Sequence, residues 1–240
     1  MMRSATFRSL LFVLALATST FAQTSVNYGF VSPNTKENLR LEDAIKGMNS
    51  PEETNLMKQS INLGCVVRSR IRAFKSLGSW SDGAEHSVMI RVQSDEPTVR
   101  YVLSRLGRDA QQKSILYFHP QSTGTADLYT IKPRRPLRNL TTLAQSLERA
   151  GISFRTLVPV KSGTWIYIVD LKRELRAKVM DAARRLRARV SAEPGTGAFV
   201  GDDQSDEAKT VFDEEIRKYE TNNPDLPPPC NVQRNTGKRK

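Results

Sequence analysis

SVMIRVQSDEPTVRYVLSRLGRDAQQKSILYF, residues 87–118, sets the reading of the chain. Val88, Ile90 and Val92 alternate with Met89 and Arg91, the period-two pattern of a half-buried strand. Ser94 and Asp95 end that strand and offer helix caps, and Pro97 suits a first helical turn. Val99, Val102, Leu103, Leu106 and Ala110 then recur at helical spacing. Ile115 to Phe118 is wholly apolar, as in a strand buried on both faces.

Toward the C-terminus the pattern repeats. Gly124 sits in a Ser/Thr-rich turn before a strand from Ala126 to Ile131. Asn139 can cap a helix carrying Leu140, Leu143, Ala144, Leu147 and Ala150, and Gly151 suits a left-handed helix end. Phe154 to Val158 and Trp165 to Val169 read as strands joined by the turn Lys161-Ser162-Gly163. The order βαββαβ plus one strand predicts an α+β fold with a ferredoxin-like split-βαβ sheet and helices on one face. Such a fold hosts many functions, so function has to be argued from sites.

The flanks divide by composition. Residues 1–22 have the form of a signal peptide: Arg3 and Arg8 lead, Leu10 to Ala17 is apolar, and Thr20-Phe21-Ala22 offers a cleavage site. The apolar run is short of the roughly 18 residues a span needs, so the chain is not expected to be transmembrane after cleavage. Residues 23–78 read as a loose segment followed by a helical arm. Ser50-Pro51-Glu52-Glu53 opens its main helix with a cap, an N1 proline and a capping-box acid. Leu56, Met57, Ile61, Val67, Ile71, Phe74 and Leu77 extend that helix to Gly78, with Arg68, Arg70, Arg72 and Lys75 on its second half. Residues 79–190 form the α+β core and finish in a long helix, Leu171 to Val190. A linker broken at Pro194-Gly195-Thr196-Gly197 leads to an acidic helix from Ser205 to Glu220, within residues 191–220. Val211, Phe212, Ile216 and Tyr219 should face inward there, with the acids against the basic helix before it. Residues 221–240 form a proline-rich basic tail.

The leader places the protein outside the cytoplasm, secreted or periplasmic. The net charge of +12 favours an anionic polymer, an anionic lipid surface or another protein as partner. Export disfavours intracellular nucleic acid. Two cysteines, Cys65 and Cys230, allow one intramolecular disulfide in an oxidising compartment. On the long helix, Arg173, Arg176, Arg184 and Arg187 fall along one flank of a narrow apolar stripe and are the expected anion-binding residues.

Catalytic chemistry finds little purchase. Asp82, Glu85 and His86 form a polar loop, with His119 and Asp170 as further polar groups. The loop contains no H-E-x-x-H pattern, clustered cysteines or D-x-D ligand run, and it reads better as a turn. His86 and His119 should lie at opposite ends of parallel strands, while His119 and Asp170 should end strands running the same way. The chain also lacks a G-x-S-x-G elbow and a phosphate loop. The expectation is an exported, non-enzymatic binding protein without catalytic residues, metal or cofactor. The alternatives are an exported hydrolase using the Asp82 to His86 loop and a structural envelope component.

Overall fold

The computed structural model describes residues 25–33, 39–80, 83–135, 139–201, 208–228 and 230. Residues 1–22, and with them the expected leader, lie outside these. The order of elements is β1 (Ser25–Val31), α1 (Leu41–Gly47), α2 (Pro51–Val66), β2 (Arg70–Trp80), β3 (Gly83–Ser94), α3 (Glu96–Asp109), β4 (Ser114–Pro120), β5 (Ala126–Pro133), α4 (Leu140–Arg149), β6 (Arg155–Val160), β7 (Gly163–Asp170), α5 (Arg176–Arg185), β8 (Ala188–Gly201) and α6 (Ala208–Asn222). The strands close into a barrel in the order β1-β3-β2-β6-β7-β5-β8-β4, antiparallel at every seam. Among the described residues no helix is long and apolar enough to cross a membrane.

The closed barrel replaces the open ferredoxin-like sheet expected from the pattern. The structural unit starts earlier than Ser87. One half runs β1-α2-β2-β3-α3-β4 and the other β5-α4-β6-β7-α5-β8, and the order within each is second-third-first-fourth strand. The stretch from Ser87 to Asp170 therefore straddles the two halves, and the strands it misses are the ones that close the barrel.

Each missed strand has a physical reason. β1 lies in the segment read as loose. Its Asn27 is fully buried on the outer face and donates to the Ser94 carbonyl at 2.8 Å, so a polar residue occupies a core position. β2 falls in the stretch expected to end the helical arm. That helix ends at Val66. Arg68 then takes a left-handed conformation, φ 51°, with no glycine to announce it. In Arg70-Ile71-Arg72-Ala73-Phe74, alternate residues face opposite ways: Ile71 and Ala73 pack under the outer helices and Phe74 fills the barrel. β8 spans the end of the expected Leu171 to Val190 helix and the expected linker. The helix is only α5; Arg187 turns the chain at φ 48°, and the strand follows. Pro194 is tolerated because β4 has ended there, its last pair being Pro120–Gly195. Gly195 is required for space, since a Cβ would sit 2.3 Å from the His119 carbonyl oxygen and 2.4 Å from Phe118.

Three apolar clusters hold the molecule. Phe30, Met89, Leu116, Phe118, Leu128 and Val169 fill the barrel. Val88, Ile90, Val99, Val102, Ile115 and Phe212 pack the first half under α2, α3 and α6. Leu77, Ile131, Leu143, Leu147, Ile166 and Val179 pack the second half under α1, α4 and α5. The caps follow the sequence: Ser50, Asp95 and Asn139 accept the backbone N–H groups of Glu53, Thr98 and Thr142 at 3.1 Å each. α6 buries Phe212 and Ile216 as expected, but it packs on α3 rather than on α5. Its Glu215, Glu220 and Asp213 meet Arg100, Arg105 and Arg108 of α3 rather than the basic residues of α5.

Candidate functional site

Alternation along a strand and antiparallel pairing around the ring together decide which side chains share an end of the barrel. One end gathers the starts of β1, β2, β7 and β8 and the ends of β3, β4, β5 and β6. On the inward face of this end lie Tyr28, Arg72, Arg91, Lys132, Trp165, Tyr167, Arg189 and Glu193, each in register with residues that fill the barrel.

Two of the register pairs set like charges directly opposite each other. Arg72 faces Arg91 across β2–β3, and Lys132 faces Arg189 across β5–β8. Arg134 and Arg135 leave β5 at this end, Arg187 enters β8, and all three are exposed. Among the described residues no acid forms an ion pair with any of these seven cations. An aromatic wall stands beside them. The Tyr28 and Tyr167 rings are 5.8 Å apart, Trp165 stacks on Tyr167 at 6.4 Å, and the Lys132 ammonium lies 4.8 Å over the Trp165 ring.

Arg91 is the most buried of these cations and lies close enough to the Tyr28 hydroxyl to act on it. Burial pushes the Tyr167 hydroxyl up to about 12, and it raises Tyr28 as well, against the pull of Arg91. Both phenols are therefore neutral O–H donors at physiological pH. Partial burial also raises the Glu193 carboxyl, with Arg91 opposing. The mouth thus presents several cations, two phenolic donors, a stacking surface and one carboxyl, which is chemistry suited to holding an anion.

The expected sites are distributed differently. Asp82 lies outside the described residues. Glu85 turns into the opposite end of the barrel, where its carboxylate covers Gly78; a Cβ on Gly78 would meet Oε1 at 2.9 Å. His86 faces outward and is buried over Gly47 beneath α1. The loop's described polar groups therefore diverge across the sheet. β3 and β4 run the same way, both antiparallel to β1, and His119 meets Asn27 at the far end of β1 from His86. His119 and Asp170, expected to end strands of one direction, end β4 and β7, which run opposite ways with β8 and β5 between them. Asp170 instead accepts the backbone N–H groups of Lys172 at 3.0 Å and Leu175 at 2.8 Å, shaping the approach to α5. No group of three or more potential metal ligands occurs among the described residues.

The expected arginine flank is not one helical face. Arg173 precedes α5 in a left-handed conformation and pairs with Asp127 at 3.5 Å. Arg176 begins the helix, and Arg184 pairs with Asp181 at 3.4 Å. Arg187 alone of the four stands at the basic mouth. Arg72, Arg91, Lys132 and Arg189 were missed because the pairing that gathers them joins residues distant in sequence. The visible signals were the alternation around Arg72 and the aromatic spacing of Trp165 and Tyr167.

No family model matches the chain, and no curated protein matches it. Two solved structures are similar. One is a putative monooxygenase from Lactobacillus acidophilus, at 8% identity and a TM-score of 0.26, covering 73% of this chain and 95% of that one. The other is a putative monooxygenase from Fusobacterium nucleatum, at 10% identity and a TM-score of 0.24, covering 72% of this chain and 91% of that one. Likenesses of this size carry no argument about what the chain does.

Proposed function

We propose that the protein is a non-enzymatic binding protein for an anionic polymer, received at the basic mouth of the barrel. The observation that carries this reading is the pairing of Arg72 with Arg91 and of Lys132 with Arg189 on the inward face of one end. Like charges directly opposite on a sheet cost about 0.2–1 kcal/mol per pair. The free protein bears the repulsion within each pair, whereas a bound anion reverses its sign. Arg134, Arg135 and Arg187 extend the positive field beyond the mouth, which suits a chain of charges better than a single small ion. The hydrolytic alternative loses support, because Glu85 and His86 face opposite sides of the sheet.

Heparin is the probe. Binding measured by calorimetry or fluorescence should weaken with salt, with a log–log slope of about −2 to −4 as counterions are released. Lys132→Glu and Arg189→Glu should each weaken binding by about threefold to tenfold, while Arg176→Glu, at the far end of α5, should leave it unchanged. Absence of binding at low salt, or an Arg176→Glu effect equal to that of the mouth variants, would overturn the reading. Binding to anionic vesicles but not to heparin would assign the mouth to a lipid surface instead.

A further inference from the structure

Two cysteines distant in sequence lie on neighbouring segments on the outside of the first half of the barrel. Cys65 lies in the last turn of α2, half-buried, and Cys230 lies beyond α6, exposed; both are free thiols. Specific packing brings them together. α6 is fixed on α3 by Arg100–Glu215 at 2.7 Å, Arg105–Glu220 at 3.1 Å and the stacked rings of Tyr101 and Tyr219 at 4.3 Å. Beyond Asn222 the chain enters a groove lined by Leu63 and Val66 of α2, Tyr101 of α3, and its own Pro224, Leu226 and Pro227. Leu226 packs there against the first-half core. Prolines in this stretch restrict the backbone and lower the entropy of holding it in place. Leu63 and Val66 flank Cys65 in this groove, and Cys230 lies three residues beyond Pro227, where the nearby Cys65 thiol raises its pKa.

We infer that Cys65 and Cys230 form an intramolecular disulfide, which locks the C-terminal segment across α2 and holds α6 on the first half of the barrel. The oxidant is a disulfide of the glutathione class. The Cys230 thiolate, accessible to the reagent, attacks one of its sulfurs, and one thiol leaves. The Cys65 thiolate then attacks the Cys230 sulfur of the mixed disulfide, and the second thiol leaves. The protein gives up two electrons and two protons, and the reagent is reduced to two thiols. The bridge encloses most of the chain, so it removes considerable freedom from the unfolded state.

The full chain, incubated with reduced and oxidised glutathione at several ratios and alkylated under denaturing conditions, tests this by mass. The expected oxidised product has no free thiol, is about 2 Da lighter than the reduced protein and yields a Cys65–Cys230 cross-linked peptide. Its thermal midpoint should lie about 5–10 °C above that of the reduced form. Amide exchange in α6 should slow on oxidation of the parent and stay constant in Cys230→Ser. Glutathione adducts left on both cysteines, or disulfide-linked dimers, would overturn the bridge. A bridge that forms without slowing exchange in α6 would overturn its role as a lock.

Discussion

Four helices enter the following strand through a residue at positive φ: Arg68 after α2 at 51°, Gln111 after α3 at 54°, Gly151 after α4 at 69° and Arg187 after α5 at 48°. The next amide reaches back into the last turn in three of them, Ser69 to Gly64 at 2.9 Å, Gln112 to Gly107 at 2.8 Å and Ile152 to Leu147 at 3.1 Å. This is the Schellman arrangement, and glycine is its natural occupant. An L-residue with a Cβ costs about 1–2 kcal/mol there, part of which glycine returns as unfolded-state entropy. Gln111→Gly should therefore stabilise the protein by about 0.5–1 kcal/mol, read as a shifted urea midpoint with unchanged slope. His86 links folding to pH. Burial lowers its pKa, and both ring nitrogens lack a hydrogen-bond partner among the described residues. A base whose folded pKa lies below its unfolded value is bound by more protons when unfolded. Stability from this site is thus fully present above about pH 6.5 and lost as pH falls below it. His86→Leu should reduce the loss of stability between pH 7.5 and pH 5.5, measured by urea unfolding. Glu53, raised to about 6 mainly by desolvation, works the other way, gaining stability as pH falls through that value.

At the scale of elements, the β5–β8 pair carries the clearest conflict between stability and binding. Lys132 opposite Arg189 is unfavourable in the free barrel, so Arg189→Glu, which leaves the Lys132 contact with the Trp165 ring in place, should convert repulsion into attraction and raise stability by about 0.2–1 kcal/mol. The same change should weaken heparin binding. A variant that gains on denaturation and loses on binding cannot be explained by misfolding; loss of both would show that Arg189 supports the strand. The elements also show what a linear reading can reach. α3, α4, their caps, β3 to β7 and the inward residues of α6 were legible because capping and periodicity are local. β2 was not, because Val67, Ile71 and Phe74 satisfy a helical spacing as well as a strand does, and the true break falls at a non-glycine, Arg68. β8 failed for the same reason at Arg187, and its Pro-Gly run resembled a linker until the end of β4 was known. The basic mouth was legible only as composition, since Arg72 and Arg189 become neighbours of one opening through barrel closure.

For the molecule as a whole, closure depends on two seams between the halves, and they are unequal. β4 and β8 share seven register pairs, whereas β2 and β6 share three: Leu77–Leu157, Gly78–Thr156 and Ser79–Arg155. The short seam also contains the poorer chemistry. Gly78 contributes no side chain, and the Thr156 hydroxyl is buried without a partner among the described residues. A buried, unsatisfied polar group costs about 1–3 kcal/mol. Local opening follows the lowest density of bonds and packing, so the barrel should part first between β2 and β6 while β4 and β8 stay joined. Native-state amide exchange under EX2 conditions should place the hydrogen-bonded amides of the β2–β6 pairs at least about 2 kcal/mol below those of the β4–β8 pairs. Thr156→Val keeps the shape and removes the orphaned hydroxyl, so it should stabilise the protein by about 1 kcal/mol and slow exchange mainly at this seam. Equal exchange at the two seams, or a destabilised valine variant, would mean that the halves are welded evenly and that the Thr156 hydroxyl has a partner in solution.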